Sequence, residues 1–230
     1  GFGAASVAAF APLGFFPLIF ITLAGLFALL DRAADAGAGF KRGAALAGAF
    51  GFGLFLGGVS WIYVSLSTFG GMPMPLAGLA TVLFCAVLAL FPALAGGIFV
   101  ALAPAGRGQR CLVFAAAWTL AEWLRGWVLS GFPWLAVGYT QTPPSPLAGF
   151  ATVVGVYGLS LLTALTAAPL WIAVRRWRDN RACGCGGWRC PTVAFLPAIV
   201  IAAAGFNLNE MAWTQPVGAP LRVALLQGHI

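Results

Sequence analysis

Charge is what this chain lacks most. Only 7% of its 230 residues are charged and 61% are hydrophobic, whereas a soluble domain carries about 25% charged residues. A water-exposed surface cannot be made from so few charges, so a soluble globular domain is excluded and lipid must be the solvent for most of the surface. There is one lysine, Lys41, and one histidine, His229, one residue from the end. No Ser-His-Asp set, phosphate-binding loop or His-containing metal cluster can be assembled. Long apolar runs alternate with short basic clusters, and Gly (31) and Pro (15) are plentiful, as they are in transmembrane helices. The first 30 residues are apolar almost throughout, with neither an initiating Met nor a basic leader, which is too long for a signal core; a truncated N-terminus is expected.

Of the five cysteines, Cys85 and Cys111 lie in apolar runs and are expected to pack as small residues. Cys183, Cys185 and Cys190 form C-x-C-x4-C in a basic, Gly-rich loop. This lacks the paired C-x2-C spacing of zinc sites, so neither a metal nor a cofactor is expected.

About 20 residues of helix cross a bilayer. Hydropathy predicts seven helical segments: 1–11, incomplete, then 14–30, 44–64, 76–103, 111–129, 147–174 and 192–208, with Pro12, Gly14 and Pro17 breaking the first run. The loops at 31–43, 104–110 and 175–191 hold ten of the 12 Lys and Arg residues. Under the positive-inside rule this end faces the cytoplasm, so the charge of +7 reports topology rather than a nucleic-acid partner. Trp61, Tyr63, Trp127, Trp134, Tyr139 and Trp213 then gather towards the outer face, and Trp171, Trp177 and Trp188 towards the inner. The G-x-x-x-G at Gly53 and Gly57 suits close helix packing. Leu221–Gln227, after Pro216 and Pro220, reads as a buried strand opening a soluble α/β unit; alone it has no partner.

Within the apolar segments, Glu122 and Arg125 stand out in WTLAEWLRGW (118–127). Their i,i+3 spacing shares one helical face, and a lone charge in a membrane is costly, so they are expected to pair with each other. Such a pair either fixes the helix end or leaves Arg125 facing a lipid phosphate. The run Ser130–Tyr139, SGFPWLAVGY, follows on the outer side. Gly131 permits unusual backbone angles, and Phe132, Trp134 and Tyr139 offer amphipathic surface. This loop either lines a groove by which lipid enters or is a tight connection anchored by aromatics. The other outer loop, Ser67–Pro75, holds no reactive group.

Four stretches resemble the apolipoprotein N-acyltransferases: GFGLFLGGVSWIYVSLSTFGGMP (51–73), AAWTLAEWLRGWVLSGFPWLAVGYTQ (116–141), SPLAGFATVVGVYGLSLL (145–162) and VALLQGHI (223–230). Their order and spacing match over nearly the whole chain. The resemblance implies an all-α polytopic bundle over 1–214 that ends, at 215–230, in the first strand of a periplasmic α/β nitrilase-like domain. It implies a bacterial inner-membrane enzyme with eight transmembrane helices when complete. The enzyme moves an acyl chain from phospholipid, through a Cys thioester, to the N-terminal amine of a diacylglyceryl-modified apolipoprotein. A Glu-Lys-Cys triad carries that chemistry, with a base activating a thiol that holds the acyl group. No Cys follows Cys190, so no catalytic residue is assigned here; the triad is expected beyond Ile230, and residues 1–230 alone are expected to be inactive. By resemblance, Gly131 and Trp134 are the substrate-binding candidates, with Glu122 and Arg125 behind them. A non-catalytic anchor of another nitrilase-like protein is the alternative. A small transporter is the other, though it would need ionisable residues deep in several helices.

Overall fold

With lipid as solvent, backbone polar groups must be satisfied within the chain, and a helix does this along its whole length. The computed structural model describes residues 1–182, 189–215, 217–219 and 221–225, and for 179–182, 189–195 and 197 the backbone alone. Helix covers every segment that hydropathy marks. In chain order these are α1 (Phe2–Ser6), α2 (Pro17–Asp35), α3 (Phe40–Gly58), the short α4 (Trp61–Val64), α5 (Met74–Leu102), α6 (Arg107–Arg125), α7 (Ala151–Ala182) and α8 (Arg189–Asn209). Pro17 starts α2 at its first turn, where the missing N–H leaves no bond unmade.

Among the described residues three helices are long and apolar enough to cross a membrane: Pro17–Asp35, Met74–Leu102 and Pro146–Arg178. A fourth span results if Phe40–Gly58 and Trp61–Phe69, bent by 48°, act as one. The chain is thus a multi-pass membrane protein. The segment expected to run unbroken over 44–64 turns at Val59, just after Gly57 and Gly58, where helix propensity is low. α6 is less apolar because Arg107, Arg110, Glu122 and Arg125 occupy its two ends. Leu221–Leu225 have no regular secondary structure, and the rest of the expected strand, with His229, lies outside the described residues, as do Cys183, Cys185 and the side chain of Cys190.

Helices in lipid gain little from hydrophobicity against one another, so close approach of small residues holds them. α3 and α5 meet along such a seam. A Cβ on Gly43 would stand 2.2 Å from the Gly96 carbonyl oxygen, and one on Gly51 would stand 2.6 Å from the Pro92 ring, so Gly51 makes room for the proline inside α5. Gly53 and Gly57 of the G-x-x-x-G serve the N-terminal segment instead, with Ala4 of α1 and Val7 of the following 3-10 turn packed against them. The core lies where α2, α3, α5 and α6 converge. There Phe27, Phe99 and Phe114 meet edge to face, and Phe50 meets Trp118 in the same way. Leu79, Leu83 and Leu90 of α5 point outward and stay exposed, as a lipid-facing stripe requires.

Candidate functional site

The two ends of the bundle are built from different chemistry. At the end where the basic loops lie, Asp31 and Asp35 sit one turn apart on α2 and bind two arginines from distant helices. Arg110 Nη1 reaches Asp31 Oδ1 at 2.7 Å and Asp35 Oδ1 at 2.6 Å. Arg175 Nη1 reaches Asp31 Oδ2 at 2.9 Å and Asp35 Oδ2 at 2.6 Å. Trp171 Nε1 adds a hydrogen bond to Asp31 Oδ2 at 3.1 Å, and Arg110 Nε donates to the Pro104 carbonyl at 2.8 Å. The network ties α2, α6 and α7 together. Sequence reasoning missed it, having counted the arginines as topology signals. The one available hint was the i,i+4 pair of aspartates in a chain with only five acidic residues.

At the opposite end α6 stops at Arg125, and the chain runs through 3-10 turns at Val128–Ser130, Val137–Thr140 and Pro146–Phe150 before α7. The loop between them is irregular backbone at the edge of a membrane domain, so its polar groups need partners from the protein. Glu122 and Arg125 supply them. Arg125 Nη1 donates to the Phe132 carbonyl at 2.7 Å and also to the Trp134 carbonyl. Glu122 Oε1 accepts from the Val137 N–H at 2.9 Å and from Trp118 Nε1 at 2.8 Å. The next N–H, that of Gly138, donates to Ser160 Oγ on α7 at 2.8 Å.

The two charges therefore make no ion pair with each other, contrary to the expectation from their spacing. The Phe132 and Trp134 carbonyls and the Val137 N–H lie within hydrogen-bond distance instead, so each charge takes the part of the loop that complements it. Both are buried, Glu122 at 5% exposure and Arg125 at 2%. The Arg125 guanidinium also lies over the Phe55 ring, 5.0 Å from its centroid. Among the described residues Glu122 Oε2 is buried without a hydrogen-bond partner. Beside it Glu122, Arg125, Trp118 and Leu135 help enclose a cavity of about 10 Å³, the size of about one water molecule.

The loop is strained as well as braced. Leu129, Ser130 and Leu135 take positive φ of 54°, 70° and 57°, a conformation that costs about 1–3 kcal/mol for a residue bearing a Cβ. Gly131, at φ 81°, has no room for more: a Cβ there would stand 2.1 Å from the Gly126 carbonyl oxygen. Trp134 is half exposed, at 50%. Its ring stacks on Phe132 at 5.6 Å and leans on Trp61 at 5.9 Å, while Phe132 meets Phe84 edge-on at 5.0 Å. Trp123, Trp127, Leu129 and Tyr139 are also exposed around it. The result is an outward apolar and aromatic surface on a fixed backbone. Among the described residues no group of His, Cys, Asp and Glu could hold a metal ion.

Gly131→Ala is expected to cost about 1–3 kcal/mol through the combined φ penalty and clash. Thermal unfolding in detergent checks this. Gly14→Ala is the control, since Gly14 has φ 62° but nothing within 4 Å of its would-be Cβ; it isolates the backbone penalty from the clash.

The "Apolipoprotein N-acyltransferase N-terminal domain" family model matches residues 2–169. Proteins named apolipoprotein N-acyltransferase are similar along almost all of the chain: 47% identical in Nitrosomonas europaea over 99% of it, 43% in Ralstonia nicotianae over 96%, and 41% in Methylococcus capsulatus over 96%. The chain spans 43%, 40% and 41% of the length of those relatives. A match over most of the chain to the family's N-terminal domain, joined to relatives of this identity, places the chain in the apolipoprotein N-acyltransferase family.

Proposed function

We propose that this chain is the membrane domain of an enzyme that N-acylates lipoproteins, and that its braced loop holds the lipid substrates where a domain outside the membrane reacts with them. In the family's reaction the ester of a phospholipid passes its acyl chain to a Cys thiol, and the deacylated lipid leaves as the alcohol with the thiol's proton. The thioester then passes the chain to the amino group of a diacylglyceryl-cysteine, so both substrates carry acyl chains that stay in the bilayer. A membrane domain must bring those chains to one place, and positioning of this kind supplies much of the barrier reduction in a two-substrate transfer.

The observation that carries this reading is the aromatic loop held by Glu122 and Arg125. Its apolar side chains are displayed outward while two buried charges fix its backbone. Trp134 and Gly131 are the residues assigned to lipid contact and to loop shape. Arg125 and Glu122 act beneath them as positioning residues, since their polar atoms face loop backbone. In the proposed orientation the basic end lies in the cytoplasm of an inner-membrane protein. The loop and residues 215–230 then lie on the periplasmic side, where 221–227 would form the first strand of the reacting domain. The Glu-Lys-Cys triad belongs to that domain, and residues 1–230 expressed alone are expected to leave a labelled apolipoprotein unacylated.

The test is acyl transfer from labelled phospholipid by the full-length protein in membranes, Trp134→Ala beside wild type. Thioester formation or transfer is expected to fall by about tenfold or more, consistent with the loss of a large aromatic contact, while insertion stays normal. Unchanged transfer would reduce Trp134 to an interfacial anchor and the loop to a connection.

A further inference from the structure

Two cavities adjoin on the α2–α7 face at the basic end, and they share a wall made by Arg32 and Trp171. One, of about 460 Å³, is lined by Arg32, Arg175 and Arg178 together with Asp35 and Trp171. The other, of about 400 Å³, is apolar; Ile21, Gly25 and Leu29 of α2 and Leu170 and Val174 of α7 line it, with Phe2 beside them. Both volumes fall in the range of about 300–1,000 Å³ usual for ligand sites.

The wall between them is fixed. Trp171 is held by its hydrogen bond to Asp31, and the Arg32 guanidinium stacks on its ring 4.8 Å from the centroid. Asp35, the single carboxylate among the described residues lining the polar cavity, has both oxygens engaged at 2.6 Å by Arg110 and Arg175, so this lining is positive. Arg32 and Arg178 form no ion pair among the described residues. Guanidinium groups are strong phosphate binders, and basic pockets between transmembrane helices on one leaflet take anionic headgroups. The apolar groove runs away from them along the side of the bundle, as an acyl chain would.

We propose that an anionic phospholipid from the leaflet at the basic end binds here, its phosphate against Arg32, Arg175 and Arg178 and one acyl chain in the α2–α7 groove. A zwitterionic lipid brings its own cation into a cavity already rich in guanidinium and binds less well. A free phosphate fills the polar cavity but leaves the groove empty. The site lies at the opposite end of the bundle from the braced loop, and it needs only a surrounding bilayer, not acyl transfer.

The experiment is the thermal unfolding midpoint of the full-length protein in detergent. The additions are phosphatidylglycerol, phosphatidylcholine of the same chains, or inorganic phosphate. Phosphatidylglycerol is expected to raise the midpoint by several degrees and the other two to leave it nearly unchanged. Arg32→Gln/Arg178→Gln should abolish the response, and Arg178→Gln alone, which leaves the Arg32–Trp171 stack and the Asp31 network in place, should weaken it without moving the lipid-free midpoint. Gly25→Leu, which fills the groove, should abolish it independently. The proposal is overturned by equal shifts from the two lipids, or by a response that survives in both variants. It is also overturned by no lipid response at all, as when another part of the longer protein fills the groove. A shift reproduced by phosphate alone makes the occupant a free anion and overturns the lipid assignment. None of these readings uses acyl transfer, so loss of this proposal and loss of the acyltransferase reading are separate results.

Discussion

Arg125→Leu is expected to release the 128–136 loop and to lower acyl transfer by the full-length protein by about 100-fold, the scale of loss that misplacement by about 1 Å produces. The guanidinium serves two carbonyls, those of Phe132 and Trp134. Leaving a buried acceptor unpaired costs about 1–3 kcal/mol. Two such losses are comparable with the strain held by Leu129, Ser130 and Leu135 at positive φ, so the strained loop no longer has the bonds that offset its strain. Arg125 meets the bundle core at the Phe55 ring, a face against which leucine can also pack, and the loss should therefore be mainly local. Hydrogen exchange over 128–136 should speed up while α3 and α5 stay protected. Arg125→Lys keeps the charge but replaces a planar fork with a point donor, and should fall between leucine and wild type. Exchange in Arg125→Leu as slow as in wild type would mean that the loop is held by its aromatic contacts and that Arg125 is dispensable to it.

The site shows where residue types inform and where they do not. That Glu122 and Arg125 need partners within the protein was legible, because two ionisable residues on one helical face inside an apolar run cannot be left to lipid. That they do not pair was not legible. Their partners are the carbonyls of Phe132 and Trp134 and the N–H of Val137, backbone groups that every sequence contains. Gly131 was legible for the same cause that makes it necessary, a positive φ beside a backbone oxygen. The helices were legible from hydropathy alone, but the turn at Val59 was not, since glycine pairs also occur inside unbroken transmembrane helices. The network at the other end escaped because its four charged residues come from three segments, and charge counting uses the number of arginines in a loop without asking what each one faces.

That network yields the second large effect, on stability rather than turnover. Asp31 and Asp35 bind the same two arginines at 2.6–2.9 Å, and by distance alone they are equivalent. Burial separates them: the Asp31 side chain is 2% exposed and that of Asp35 is 34% exposed. Removing one partner of a buried ion pair costs about 3–5 kcal/mol, because the opposite charge stays behind without compensation, whereas a solvent-screened pair contributes about 0–1 kcal/mol. Asp31→Asn also weakens the Trp171 hydrogen bond. It is therefore expected to lower the unfolding midpoint by on the order of 10 °C, and Asp35→Asn by a small fraction of that. The buried aspartate joins α2 to α6 and α7, so its loss should also be non-additive with Arg110→Gln in a double-mutant cycle, as for residues of one network. Equal shifts for the two aspartates would show that water reaches both, and that α2, α6 and α7 are held together by their apolar packing with no measurable help from the charges.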